Sequence, residues 1–219
     1  MKLDHVFVFI DPDGPEPAAL AALGLNESFR RAHPGQGTAN ACYCFDNAYL
    51  ELLWLTDAAE AGGAAAARLQ LAARAGWRRN GASPFGIALR GGEARGALPF
   101  PTWDYRPSYL PDGQSVPVAI FSDDPAQPLV FRSPGDSRPD AWPPERWPGA
   151  RVGARQTAAG LTEIVEVTLG LPQAPHPALQ ALASGWLKIE TTAAPQIVLG
   201  LSRAQGTPLR LLLPDCRLL

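Results

Sequence analysis

The chain has 219 residues, of which 46% are hydrophobic and 18% charged, with a formal net charge of −2. This is enough apolar material for one large domain or for two small modules sharing a core. The near-neutral charge and scattered arginines argue against nucleic acid or an anionic membrane as partner, and no apolar run approaches the roughly 20 residues that span a bilayer.

The pattern predicts a strand over residues 3–10, where apolar side chains dominate and Asp4 and His5 interrupt. With those two polar residues so early, the N-terminus does not read as a signal peptide. Asp11-Pro12-Asp13-Gly14-Pro15 is turn chemistry. A helix over 15–23 follows, with proline in its first turn and Gly24 as its stop. A strand near 27–32, the Pro34-Gly35-Gln36-Gly37 loop, and strands at 39–45 and 48–55 joined at Asp46-Asn47 complete a β-α-β-β-β unit over residues 1–56.

Residues 57–81 are expected to be a helical connector, chiefly one alanine-rich helix over 57–76 packed on the outside of the sheet, its start delayed by Gly62-Gly63. A second, degenerate unit spans 82–135. Its strands are read at 84–90, 116–121 and 129–131, around a segment rich in Gly, Pro and aromatics that holds Trp103, Tyr105 and Tyr109. Residues 136–160 form a Pro/Trp-rich loop with Trp142, Pro143, Pro144 and Trp147, expected to pack across an opening or an interface. The tail, 161–219, repeats the order: strand 161–169, helix 175–184, and strands 186–191, 196–201 and 208–213.

Two of these strands carry one ionisable side chain in an apolar setting, His5 and Glu51. A carboxylate there is costly to bury unless it meets a cation or a hydrogen-bond donor. A metal, a substrate or the histidine itself could fill that role. Tyr49 shares strand parity with Glu51 and faces the same side.

The Leu3-Asp4-His5-Val6 opening, the Pro34-Gly35-Gln36-Gly37-Thr38 loop and the Phe45-Asp46-Asn47-Ala48-Tyr49-Leu50-Glu51-Leu52 run together resemble the glyoxalase-like domain group of the vicinal-oxygen-chelate superfamily. That superfamily includes glyoxalase I, extradiol dioxygenases and bleomycin-resistance proteins. The resemblance implies an α+β fold of paired βαβββ modules with curled mixed sheets around a shared cavity, extended here by a C-terminal βαβββ-like element. It also implies a metal ligand on the first and last strands of each module, which His5 and Glu51 match in the first.

The second unit has no counterpart, since neither Phe85-Gly86-Ile87-Ala88-Leu89 nor Leu129-Val130-Phe131-Arg132 supplies a His, Gln or Glu. Either Glu163 completes a site for a divalent ion (Mn, Fe, Ni or Zn), or the metal has been lost and His5 and Glu51 act as an acid–base pair; loss is the favoured reading. The superfamily chemistries are of lyase, isomerase or dioxygenase type, and its metal-free sequestering members supply the alternative.

His5, Glu51 and Tyr49 are thus the catalytic candidates, and His33, Gln36, Asn40, Trp103 and Tyr105 the substrate-binding ones. The plainer readings are a core role for His5, a solvated loop for His33, wall packing for Tyr49, and sheet capping for the aromatic cluster. Cys42 and Cys44 read as buried packing, and His176 as surface. The expected partner is a small-molecule ligand, with a homodimer left open. Three cysteines without a framework spacing point to a reducing, cytoplasmic setting, and the Ala/Arg/Gly/Pro-heavy composition to a GC-rich bacterial genome. No phosphate loop, serine elbow or zinc-type spacing is present.

Overall fold

The computed structural model describes residues 1–91, 98–143 and 155–219. Pro144, Trp147 and the rest of 144–154 in the expected Pro/Trp-rich loop lie outside the described residues. Residues 92–97 of the second unit also do.

The first unit forms β1 (Lys2–Phe9), α1 (Glu16–Ala22), β2 (Phe29–His33), β3 (Thr38–Cys44) and β4 (Tyr49–Leu55). The second supplies β5 (Phe85–Arg90), β6 (Thr102–Tyr105), β7 (Val116–Ala119) and β8 (Leu129–Arg132). The two units merge into one eight-stranded sheet of order β2-β3-β4-β1-β5-β8-β7-β6. Each half repeats the same arrangement, with its first strand parallel to its last (β1 with β4, β5 with β8), and β1 pairs antiparallel with β5 at the centre. The expected paired modules are therefore visible as halves of one sheet. Strand β6, in the Gly/Pro/aromatic segment, was not legible in the sequence.

Period-two alternation assigns the two faces of this sheet. Val6 and Val8 of β1, Leu50 and Leu52 of β4, and Ile87 and Leu89 of β5 share one apolar core cluster. Phe7 and Phe9 of β1 and Leu53 of β4 belong to a different cluster on the opposite face.

The first face is covered by the tail. That part comprises β9 (Leu161–Leu171), α5 (Pro177–Gln180), β10 (Leu187–Thr191), β11 (Gln196–Arg203), β12 (Leu209–Leu213) and β13 (Arg217–Leu218). Its five-stranded sheet contributes Ile164, Val167, Leu169, Ile197 and Leu199 to the shared core. The tail has the expected β-α-β-β-β order, but its pairing differs from that of the first unit. Here the first strand sits between the second and third, in the order β10-β9-β11-β12-β13.

The connector departs from expectation. In place of one long helix on the outside there are α2 (Ala58–Ala61), a 3-10 turn at Ala67–Leu69, α3 (Leu71–Ala75) and α4 (Trp77–Asn80). Gln70 breaks the run in the left-handed region at φ 54°, and alanine propensity is a weak prior that packing overrides. The break lets Leu69 and Leu71 pack with Phe7, Phe9 and Leu53 on the concave face. Arg74 on α3 is fully buried and donates to the carbonyls of Leu69, Ser122 and Gln127, which ties the connector to the second unit. Among the described residues no helix is long and apolar enough to cross a membrane.

Candidate active site

The concave face encloses a cavity of about 400 Å³. Its polar wall comes from the first unit, chiefly His5, His33, Gln36, Asn40 and Glu51. The apolar wall comes mostly from the connector and the second unit, through Leu69, Leu71, Val116, Val118, Leu129 and Phe131, with Phe7 and Leu53 of the first unit at its base.

His5 and Glu51 lie on the adjacent strands β1 and β4 and are both about 6% exposed. His5 Nε2 stands 3.5 Å from Glu51 Oε2, and His5 Nδ1 lies 2.7 Å from Asp4 Oδ1. The other Glu51 oxygen accepts a 2.6 Å hydrogen bond from Asn40 Nδ2. The orientation of that amide is fixed from its other end, where Asn40 Oδ1 accepts from the Arg31 backbone N–H. Glu51 therefore has one oxygen tied and the other facing His5.

Tyr49 stacks on the His5 ring at 4.3 Å and 19°. Phe29 and Trp142 pack behind it, and burial pushes its phenol well above the ordinary range. Tyr49 thus fixes the imidazole plane and remains protonated.

The polar network continues from Asn40 to the loop over residues 34–37. His33 Nε2 is 3.4 Å from Asn40 Nδ2 and His33 Nδ1 is 3.0 Å from Thr38 Oγ1. With the amide as donor, Nε2 accepts and Nδ1 carries the proton. Burial lowers the His33 pKa below the ordinary histidine value. Gln36 Nε2 donates to Thr38 Oγ1, while Gln36 Oε1 accepts from the hydroxyls of Tyr105 and Tyr109. Burial raises the Tyr105 phenol to about 12, so it remains a donor.

Ser108 Oγ donates to the Pro34 carbonyl beside these contacts. The segment carrying Ser108, Tyr109 and Leu110 therefore lies across the cavity rim. The rim loop is held from below by Glu60 Oε2, which accepts from the N–H groups of Gly35 and Gly37. At Gly37, with φ 68°, a Cβ would come within 2.1 Å of the Asp57 carbonyl, so only glycine closes this turn.

His5, Tyr49, Glu51, His33, Gln36, Asn40 and Tyr105 all line this one cavity. Two candidates do not. Trp103 packs edge-on against Tyr105, under the Arg68 guanidinium, and lies behind the wall rather than in it. Glu163 stands on β9 in the other sheet, and its carboxylate is taken by Arg138 at 2.9 Å. As a third metal ligand it is corrected: the chain places it in the covering layer, away from His5.

Of the remaining readings, Cys42 and Cys44 are buried with Phe29, Tyr49 and Trp142. His176 is exposed and caps α5 through Ala178 N–H. Missed in the sequence were Asp4, Arg31, Phe7 and the connector leucines. Of these only Asp4 carried a signal, its adjacency to His5.

The ligand pattern implied by the resemblance draws donors for a divalent ion from both halves of the sheet. Residues paired across antiparallel strands share a face, so the β5 positions facing the cavity are Gly86 and Ala88, opposite Phe7 and His5. Neither bears a donor. At Gly86 a Cβ would lie 1.9 Å from a Phe7 ring atom, so that ring already fills the space. The β8 residues on this face, Leu129 and Phe131, are apolar. Among the described residues no group of three His, Cys, Asp or Glu side chains is placed to hold an ion. Catalytic metal sites ordinarily have three protein ligands, so the donor set does not fit a resident metal.

Residues 3–98 match the model of a family described as a glyoxalase-like domain. No curated protein matches the sequence. Among solved structures, the crystal structure of a hypothetical protein from Bacillus halodurans C-125 is 17% identical, covering 60% of this chain and 91% of that one with a TM-score of 0.40.

Proposed function

We propose that this chain, a glyoxalase-like domain protein over residues 3–98, binds a small metabolite in the cavity and moves a proton on it without a metal. The carrying observation is the facing of His5 Nε2 and Glu51 Oε2, 3.5 Å apart on the polar wall. A substrate C–H or O–H placed beside them reaches both groups, which is the geometry of general base catalysis. The imidazole takes the proton. The adjacent carboxylate stabilises the imidazolium that forms, and Asn40 keeps Glu51 from turning away. The reaction class this supports is enolisation or isomerisation next to a carbonyl. The oxyanion would draw on the Gln36 amide hydrogen not given to Thr38 and on the Tyr105 and Tyr109 hydroxyls, which would turn to it from Gln36 Oε1. The leucines, valines and phenylalanines opposite would hold an apolar substrate body and exclude water.

The test presents enolisable carbonyl metabolites in D2O and follows deuterium uptake at the carbon next to the carbonyl. The expected result is catalysed uptake into at least one compound, insensitive to chelator. His5→Ala and Glu51→Gln should each slow it by about 100-fold or more. Uptake abolished by chelator would contradict the proposal.

The apolar character of the opposite wall favours a second reading, a sequestering protein of the bleomycin-resistance type. It predicts tight binding with no deuterium uptake.

A further inference from the structure

In a regular strand, neighbouring side chains point to opposite faces. Asp4 would then share the face of Val6 and Val8 and place a carboxylate in the apolar interface between the two sheets. The strand does not run that way. Along β1, Leu3 pairs with Leu89, and the next pair is His5 with Ala88, two residues stepping against one. This is a β-bulge with Asp4 as the extra residue.

Burial shows the same shift of phase. Leu3, Val6, Val8 and Ile10 all belong to the core between the sheets, so the face changes parity between positions 3 and 6. The bulge removes Asp4 from that core and brings its carboxylate to 2.7 Å from His5 Nδ1, with both side chains buried.

We infer that Asp4 is a positioning residue, delivered by this bulge, that holds the proton of His5 on Nδ1 and leaves the Nε2 lone pair directed at the ligand. An imidazole used as a base must present an unprotonated nitrogen to its substrate. A neutral ring has two tautomers. Carboxylates face both ring nitrogens. Asp4 Oδ1 lies 2.7 Å from Nδ1, whereas Glu51 Oε2 stands 3.5 Å from Nε2 and Glu51 is already tied through its other oxygen to Asn40. The shorter contact therefore takes the proton and Nε2 keeps its lone pair. Tyr49 fixes the plane of the ring and Asp4 its tautomer. This inference rests on the proton-transfer reading above and assigns the group that makes that transfer directional.

The experiment is nitrogen-15 NMR of histidine-labelled protein without ligand, followed upward in pH until the two ring nitrogens give the distinct shifts of a neutral imidazole. The expected wild-type result is a protonated Nδ1, with its proton protected from solvent, and an unprotonated Nε2 on His5. In Asp4→Ala the Nε2–H tautomer should appear. In Asp4→Asn, which keeps the shape, the Nδ1 proton should exchange on the order of tenfold faster, because a charge-assisted hydrogen bond is about twice as strong as a neutral one.

A merely structural role for Asp4 would shift stability and leave the tautomer alone. A wild-type ring protonated at Nε2 under these conditions overturns the inference, as does an unchanged tautomer in Asp4→Ala. Should that variant not fold, the Asn variant decides, and unchanged proton exchange overturns the inference. The readout needs no substrate, so its failure is distinct from failure of deuterium uptake, which would strike the proton-transfer reading instead.

Discussion

Asn40 sets the terms on which Glu51 is buried. A carboxylate inside a strand is destabilising unless donors meet it, and the 2.6 Å bond from Asn40 Nδ2 is one of them. Asn40→Ala is predicted to destabilise the fold by about 1–3 kcal/mol, the cost of leaving a buried acceptor unmet, measured by urea unfolding. Asn40→Asp would set a second carboxylate beside the first and should cost more. Gly86 works by absence. Gly86→Ala drives a Cβ into the Phe7 ring and is predicted to cost about 1–3 kcal/mol by overpacking, read in the same assay.

His33 supplies a pH dependence. Burial holds its folded pKa below the ordinary value of 6.5, so the unfolded chain takes up the proton first. Stability from this group is intact above the ordinary value and falls as pH drops below it, levelling off beneath the folded pKa. His33→Gln should therefore flatten the acid side of the melting-temperature profile relative to wild type. An unchanged slope would count against the desolvation of its half-buried ring.

At the scale of elements, the strands of the first unit were legible because their alternation is clean and their turns carry Gly, Pro and Asn. His5 and Glu51 were legible for the same reason, as polar side chains in apolar strands. Asp4 was visible only as a neighbour of His5, not as a member of the site, because a bulge breaks the parity on which such reading depends. The connector misled because composition favours helix, whereas Leu69 and Leu71 must reach the cavity and Gln70 turns left-handed to let them. Trp103 shares parity with Tyr105, and only packing decides which of them meets the cavity.

Arg74 was invisible too, being one arginine among many in sequence. Its guanidinium lies among backbone carbonyls, and burial lowers its pKa to about 10, so it stays charged at neutral pH. Arg74→Met removes the donors to Leu69, Ser122 and Gln127 and is predicted to cost at least about 3 kcal/mol. A melting temperature near that of wild type would contradict this placement.

Over the whole molecule, two sheets share one core, and the cavity opens on the face away from it. The tail's function in this arrangement is coverage. Val6, Val8, Leu50, Leu52, Ile87 and Val130 of the larger sheet would lose the sheet packed on them without it, with α1 left to cover part of the face through Leu20. A fragment ending at residue 143 is therefore predicted to aggregate, as large exposed apolar faces do. A monomeric fragment that unfolds cooperatively would refute that division of labour.

Most of the polar wall comes from the first unit and most of the apolar wall from the connector and the second unit, and this is why the second unit reads as degenerate. Its cavity-facing positions on β5 and β8 supply volume and dryness rather than metal ligands, while Tyr105 and Tyr109 add hydroxyls at the rim. A metal-free site follows from that asymmetry, and elemental analysis of protein purified without chelator tests it most directly. The prediction is no stoichiometric Mn, Fe, Ni or Zn in wild type, His5→Ala or Glu51→Gln. A stoichiometric metal in the wild type that both substitutions remove would contradict it.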